Sequence, residues 1–227
     1  DSYYYRQPAL KLVVERLPAS LQLLVGATAL SIAFSIPFGV LAAIYRGTWF
    51  DRSILSGSLV GISAPSFLVA ILLILVFSLT LGWLPSSGRG SIGHFVLPSV
   101  SLALLRIAIG VRFIRSGMLD VLNQEYVRTA RAKGLSESVV LLRHALRNTL
   151  IPYVTITGLQ IGAVLSGAIV IERVFAWPGM GRLLLNSLER LDYPVIIAYV
   201  LVVAVIFSVI NFLVDVSYFV LDPRIRR

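Results

Sequence analysis

The sequence predicts an all-α fold: a polytopic transmembrane helical bundle with a short polar helix pair on one side. Three observations predict it. Of 227 residues, 57% are hydrophobic and 14% charged, against roughly 25% charged in a soluble domain, so lipid must be part of the solvent. Five stretches reach the roughly 20 mostly apolar residues that a bilayer-crossing helix needs. These runs are continuous, whereas barrel strands alternate over about ten residues.

The first span is predicted at Leu21–Ile44, after an external segment over residues 1–20. The second follows at Gly57–Leu81, and the third at Phe95–Met118, which carries Arg106, Arg112 and Arg115. The fourth is Ile151–Ile171 and the fifth Val195–Val220, with a tail over 221–227. Pro37, Pro65, Pro98 and Pro152 punctuate the spans or their ends, as membrane helices tolerate when neighbours satisfy the freed carbonyls.

Charge sets the orientation. Twelve Lys and Arg fall on the side holding residues 45–56, 112–150 and the tail, and seven on the other. The richer side is expected to be cytoplasmic, which puts the N-terminus outside and the C-terminus inside. The net charge of +9 therefore reads as membrane topology and not as a nucleic-acid surface. With no cysteine, a thiolate nucleophile or cysteine metal site is excluded, and His94 and His144 lie too far apart in sequence to suggest a zinc site.

The connection over residues 119–150 is too polar to span and too periodic to be a loose loop. Residues 123–133 favour helix, with Tyr126, Ala130 and Lys133 spaced to share a face. Gly134 supplies the left-handed backbone that ends helices cheaply. Ser136 is suited to cap a second helix with Glu137 in its first turn. Leu135, Val139, Leu142, Leu146 and Leu150 form a stripe there expected to face the bundle. Such a pair fits either an interfacial element resting on headgroups or a docking surface whose small residues admit another protein's backbone.

Four further features qualify the spans. Arg106 is mid-span, where a charge costs about 2.5–3.5 kcal/mol on insertion scales; it is expected to face the interior or a wet cavity, as a pathway residue or a structural one. Gly158, Gly162 and Ser166 recur every four residues, a stripe for close helix packing within a subunit or at a seam lining the path. Asp215, near the end of the last span, fits a salt bridge or cap better than proton coupling. Trp83, Trp177 and Tyr193 sit beside the interfaces, as aromatic belts do.

The segment Glu125–Leu135, EYVRTARAKGL, followed by LLRHALRN at Leu141–Asn148 and Ile151-Pro152, resembles the cytoplasmic loop of binding-protein-dependent ABC importer permeases. It is most similar to the branch that imports dipeptides, oligopeptides and nickel. The wider superfamily pattern has Glu-Ala at Arg128-Thr129, Ile at His144 and Pro at Arg147; the peptide branch makes the same departures. The resemblance extends through Gly82-Trp83-Leu84-Pro85 with Gly88, then Glu172, Phe175, Trp177-Pro178-Gly179, Gly181-Arg182 and Asp192-Tyr193-Pro194, and on to Asn211, Asp215 and Asp222-Pro223-Arg224.

This resemblance implies a type I ABC importer permease of a bacterial or archaeal inner membrane, forming a pathway for peptides, or for nickel, glutathione or other small solutes. It implies no catalytic residue or metal in this chain, which also lacks a Gly-x-x-x-x-Gly-Lys-Ser/Thr loop; ATP and Mg are bound by a partner ATPase. Implied partners are a second homologous permease, two cytoplasmic ATPase subunits or domains, an extracytoplasmic substrate-binding protein and lipid, with no nucleic acid. ATPase coupling is assigned to Glu125, Tyr126, Arg128, Thr129, Ala130, Arg131, Ala132, Lys133, Gly134 and Leu135. An external gate or docking role falls to Glu172, Trp177, Pro178 and Gly179. The family has six spans, so five with the N-terminus outside implies that the first family helix is absent. A self-sufficient carrier or channel would instead show several paired ionisable groups at mid-membrane, and a membrane scaffold would need none.

Overall fold

The computed structural model describes the backbone of residues 1–221, and the side chains of all of these except 159, 162–166, 215 and 217–221. Asp215, and Asp222-Pro223-Arg224 with the rest of the tail, therefore lie outside the described residues. No strand occurs among the described residues.

Helix α1 runs over Ala9–Ile44, twelve residues further toward the N-terminus than the apolar run alone. Its early turns carry charge, and Lys11 and Glu15 pair at 3.9 Å across one turn, so helix continues where hydropathy stops. At 1.5 Å per residue it is about 54 Å long, well over the roughly 30 Å hydrocarbon core. The predicted second span is not one rod. Helix α2 (Trp49–Ser63) and helix α3 (Ser66–Leu73, prolonged by a π-helical segment over Ile74–Thr80) meet at 105°. Pro65 causes the break: it sits at the N-cap of α3 with φ −59° and ψ 138°, has no N–H to continue α2 and pushes Ala64 away from helical backbone. Pro37, Pro98 and Pro152, by contrast, lie within continuous helices.

Helix α4 covers Ile92–Leu122. Helix α5 (Glu125–Ala132) and the three-residue α6 (Glu137–Val139) follow, and a π-helical segment over Val140–Leu146 leads into α7 (Arg147–Val174). Helix α8 (Met180–Glu189) and helix α9 (Tyr193–Leu221) complete the chain. By length and composition α1, α4 and α9 can each cross a membrane, and the bent α2–α3 pair makes a fourth candidate; α7 covers the fourth predicted span.

The chain forms two compact units. One holds residues 1–30, 64–104 and 160–213, the other, among the described residues, 31–63, 105–159 and 214–221. The first unit packs Val13 of α1 against Met180 and Leu183 of α8 and Val195, Ala198 and Tyr199 of α9. Its N-terminal turn is fastened by the buried Asp192, which accepts hydrogen bonds from Ser2 Oγ and from the backbone N–H of Tyr3 at 3.1 Å and Tyr4 at 3.3 Å. The Arg190 guanidinium lies 3.6 Å over the Tyr4 ring, a cation–π contact. The second unit packs Ala43 of α1, Ile114 and Met118 of α4, Ala145, and Tyr153 of α7. There Arg115 of α4 grips the buried Asp51 of α2 through Nε and Nη2 at 2.7 and 2.8 Å.

Candidate functional site

The polar connection folds as a bent helix pair, and its bend is built by backbone geometry. Gly134 has φ +79°, where an L-residue with a Cβ costs roughly 1–2 kcal/mol. Leu135 N–H donates to Ala130 O at 3.3 Å and Gly134 N–H to Arg131 O at 2.9 Å. These are the nested bonds of a Schellman ending, which satisfy carbonyls the terminated helix would leave open. Across the bend Arg131 Nε and Nη2 donate to Glu137 Oε2 and Oε1 at 3.1 and 2.7 Å, stapling the last turn of α5 to the first turn of α6. This contact lowers the pKa of Glu137 and raises that of Arg131. Asn148 Nδ2 donates to Tyr126 Oη at 2.9 Å and ties α5 to the start of α7.

Two expectations about faces are corrected here. Ala130 does not share an exposed face with Tyr126 and Lys133: it is 6% exposed and packs with Val127 and Val140. The small residue left on the surface is Ala132. The stripe of Leu135, Val139, Leu142, Leu146 and Leu150 divides: Leu146 and Leu150 pack against the core of the second unit, whereas Leu135, Val139 and Leu142 are 41%, 36% and 60% exposed. The buried positions are Val140, Ala145 and Thr149. The cause is the π-helical segment, whose wider turn moves the inward register to a five-residue step that α-helical spacing cannot foresee. Ser136 does occupy the N-cap of α6, with φ −62° and ψ 146°, but its side chain makes no capping bond; its carbonyl receives Val139 and Val140 N–H. Glu125, Tyr126, Arg128, Thr129, Arg131, Lys133 and Gly134 are all exposed, so the pair presents a mixed polar and apolar surface around one stiff corner.

The residues read as an external gate or docking surface gather in the first unit around a buried carboxylate. Glu172, fully buried at the end of α7, accepts hydrogen bonds from Ser20 Oγ at 2.5 Å and Arg182 N at 3.0 Å. Ser20 Oγ in turn accepts from Met180 N at 2.8 Å. The carboxylate and the serine thus take up open N–H groups at the start of α8, where a negative group is favoured. Gly179 makes room: a Cβ there would collide with the Glu172 carboxyl. Trp177 is 1% exposed and donates from Nε1 to Ala19 O at 2.9 Å; Pro178 is half-buried. These side chains hold the α7–α8 turn on α1 and do not line an outer surface. Trp83 and Tyr193 are 69% and 56% exposed, whereas Trp177 is not. Ser20 was invisible to sequence reasoning, since a lone serine inside an apolar run carries no signal of its distant partner.

Arg106 of α4 is 5% exposed in the second unit, the inward placement expected of a mid-span charge. Gly158 lets α7 approach α9, because a Cβ there would collide with Val214; this favours packing within the subunit at that position. The side chains of Gly162 and Ser166 lie outside the described residues. Among the described residues no group of three or more His, Cys, Asp or Glu could hold a metal ion.

Residues 35–227 match the family described as the binding-protein-dependent transport system inner membrane component. This chain belongs to that family. The glutathione transport system permease protein GsiC of Escherichia coli strain K12 is 45% identical over 221 residues, covering 97% of this chain and 72% of that protein. The protein of the same name from Shigella dysenteriae serotype 1 (strain Sd197) matches to the same extent. Among solved structures, an inward-facing MetNI methionine ABC transporter aligns over 95% of this chain and 99% of its own, with a TM-score of 0.79 at 16% identity. An amino acid ABC transporter aligns over 92% and 93%, with a TM-score of 0.68 at 15% identity. At such identities the likeness is one of fold: that of ABC importer permeases.

The chain is therefore the permease component of an ABC importer of the peptide and nickel branch, a multi-pass inner-membrane protein. It is not itself catalytic; the ATPase of such a system is a separate chain. The family implies a partner permease, an ATPase and a binding protein.

Proposed function

We propose that this permease passes a small peptide of the glutathione class across the inner membrane, paired with a second homologous permease. Its drive comes from a cytoplasmic ATPase that seats the α5–α6 pair, and its C-terminus lies in the cytoplasm. Coupling of this kind needs an element stiff enough to carry a rigid-body push, with surface left for a partner. The observation that carries the reading is the Gly134 corner, locked by nested backbone bonds and the Arg131–Glu137 staple, beside the outward Leu135, Val139 and Leu142. The cargo class rests on the 45% identity to proteins named glutathione transport system permeases.

Gly134→Pro and Gly134→Asp test the coupling in the complex reconstituted with its ATPase, partner permease and binding protein. Proline fixes φ near −65° and removes the N–H that donates to Arg131 O, and aspartate puts a negative charge on the exposed corner; a Cβ at the position meets nothing within 4 Å. Both are expected to insert normally, to lose substrate-stimulated ATP hydrolysis and to copurify poorly with the ATPase. Normal stimulation in both variants would sink the assignment. Uptake of labelled glutathione, of a dipeptide and of nickel into the same vesicles decides the cargo, with glutathione expected to be taken up best.

A further inference from the structure

An open cleft in the first unit shares only Trp177 with the joint described above. It encloses about 610 Å³ and is lined by Gln22 of α1, Arg89, Gly90 and Ser91 of the α3–α4 loop, Phe95 of α4 and Trp177, which lies in the ordinary range for small-ligand sites. Arg89 is the one formally charged side chain lining it. Its Nε and Nη2 donate to Gln22 Oε1 at 3.2 and 3.0 Å, and the guanidinium stands 5.7 Å over the Trp177 ring. Both contacts orient the cation, and neither supplies a negative charge. Among the described residues no carboxylate lies within ion-pairing distance of Arg89.

The surroundings are fixed before any ligand arrives. Trp177 is anchored to Ala19 O, and its ring lies 6.4 Å from that of Phe95. The loop is tied down by Gly88 N–H donating to Phe175 O at 2.8 Å and by Ser91 Oγ with His94 Nδ1 at 2.9 Å. A planar cation held between an amide and an indole, facing a cavity without a counter-charge, is a preorganised seat for a planar anion.

We propose that Arg89 captures a carboxylate of the incoming solute in this cleft, with Ile92 and Phe95 receiving the apolar part of the molecule and the buried Trp177 backing the guanidinium. On the orientation expected from the basic residues, the cleft lies on the face where cargo enters. The inference rests on the reading of the cargo as a small peptide, and it names the chemical group recognised and the residue that recognises it.

The test separates the two ideas. In the assembled complex in nanodiscs, Trp49→Phe and Trp83→Phe leave Trp177 as this chain's own tryptophan reporter; these two side chains are 77% and 69% exposed and neither lines the cleft. The emission of Trp177 is read by difference against the same complex carrying Trp177→Phe, during titration with glutathione, N-acetylglycine and N-acetylglycinamide. Expected are saturable changes with the two carboxylates, none with the amide, and at least tenfold weaker binding in Arg89→Gln. Gln22→Glu, which places a competing carboxylate on Arg89, should weaken binding likewise. In uptake assays Arg89→Gln should raise KM for glutathione at least tenfold. If carboxylates shift Trp177 but glutathione is not transported, the cargo reading fails and the site stands. If glutathione is transported, Trp177 is silent and Arg89→Gln transports normally, the site is overturned and the cargo reading stands. A loss in Arg89→Gln confined to docking of the empty binding protein would also overturn it, since the carboxylate would then belong to that protein.

Discussion

Two bends, each built on a glycine, differ in what the glycine is for. At Gly134 the glycine serves the backbone: φ is +79° and a Cβ would meet nothing within 4 Å. At Gly179 the backbone is extended, with φ −95°, and any residue could adopt it; the glycine serves the space taken by the Glu172 carboxyl. The first bend is held by bonds among its own near neighbours in an exposed setting. The second is held by groups more than 150 residues away in the chain, Ser20 and Ala19, in a buried one. A bend closed by local bonds keeps its shape while its surface stays free for a partner. A bend closed by distant groups has its surface already spent on its own fold. One bend is a surface and the other an interior joint.

The contrast breaks most severely at Gly179. Gly179→Ala forces a methyl into a filled site, with an expected loss of about 1–3 kcal/mol for overpacking, and the group displaced is a buried carboxylate. Thermal unfolding in nanodiscs should show it, and an unchanged midpoint would mean that the joint is softer than its packing implies. Gly134→Ala should cost less, roughly 1–2 kcal/mol for a left-handed alanine, and Gly134→Asn should recover much of that because asparagine tolerates this conformation. Recovery of coupled ATP hydrolysis by asparagine and not by alanine would tie the function to φ alone.

A smaller effect at neutral pH belongs to Asp192. Burial pushes its carboxyl up, but the hydrogen bonds from Ser2, Tyr3, Tyr4 and Val195 together hold it below the ordinary range. A depressed folded value means that the stabilisation is complete above about pH 4 and is lost as pH falls through that lower value. Asp192→Asn should therefore flatten the acid limb of the stability profile, and a limb of unchanged steepness would count against this. The smallest effect is expected from Arg131→Gln. With side chains 41% and 56% exposed, the pair with Glu137 is worth under about 1 kcal/mol and is screened by salt. Its loss should lower coupling more than stability, since the staple fixes an angle.

Hydropathy alone predicts five spans, of which α1, α4, α9 and the bent α2–α3 pair are candidates by length and composition among the described residues, and the spacing around Gly134 predicts the corner, because both depend on near neighbours in sequence. What escaped depends on distance or on register. The 105° break at Pro65 lies inside a run whose composition is uniformly apolar, and Pro98 and Pro152 in similar runs leave their helices continuous. The outward turn of Leu135, Val139 and Leu142 follows from a π-helical segment that no residue type announces. Glu172 and Trp177 could be read as motif members, but their burial could not, since their partners Ser20 and Ala19 sit in an unremarkable stretch of the first helix. The charged turns before Leu21 look like an external segment by hydropathy and prove to be helix, because helix formation requires only that the charges fit its faces.

The tether between Ser2 and Asp192 separates its two ends by 190 residues. A ribosome adding about 5–20 residues per second takes on the order of 10–40 s to produce the second end after the first. Throughout that time the opening turn, with Tyr3, Tyr4 and Tyr5, has no Asp192 to receive its N–H groups and no Arg190 to cover its rings. The first unit can therefore take this fastening only after Asp192 has been made. The order of synthesis makes this fastening a late seal on the unit.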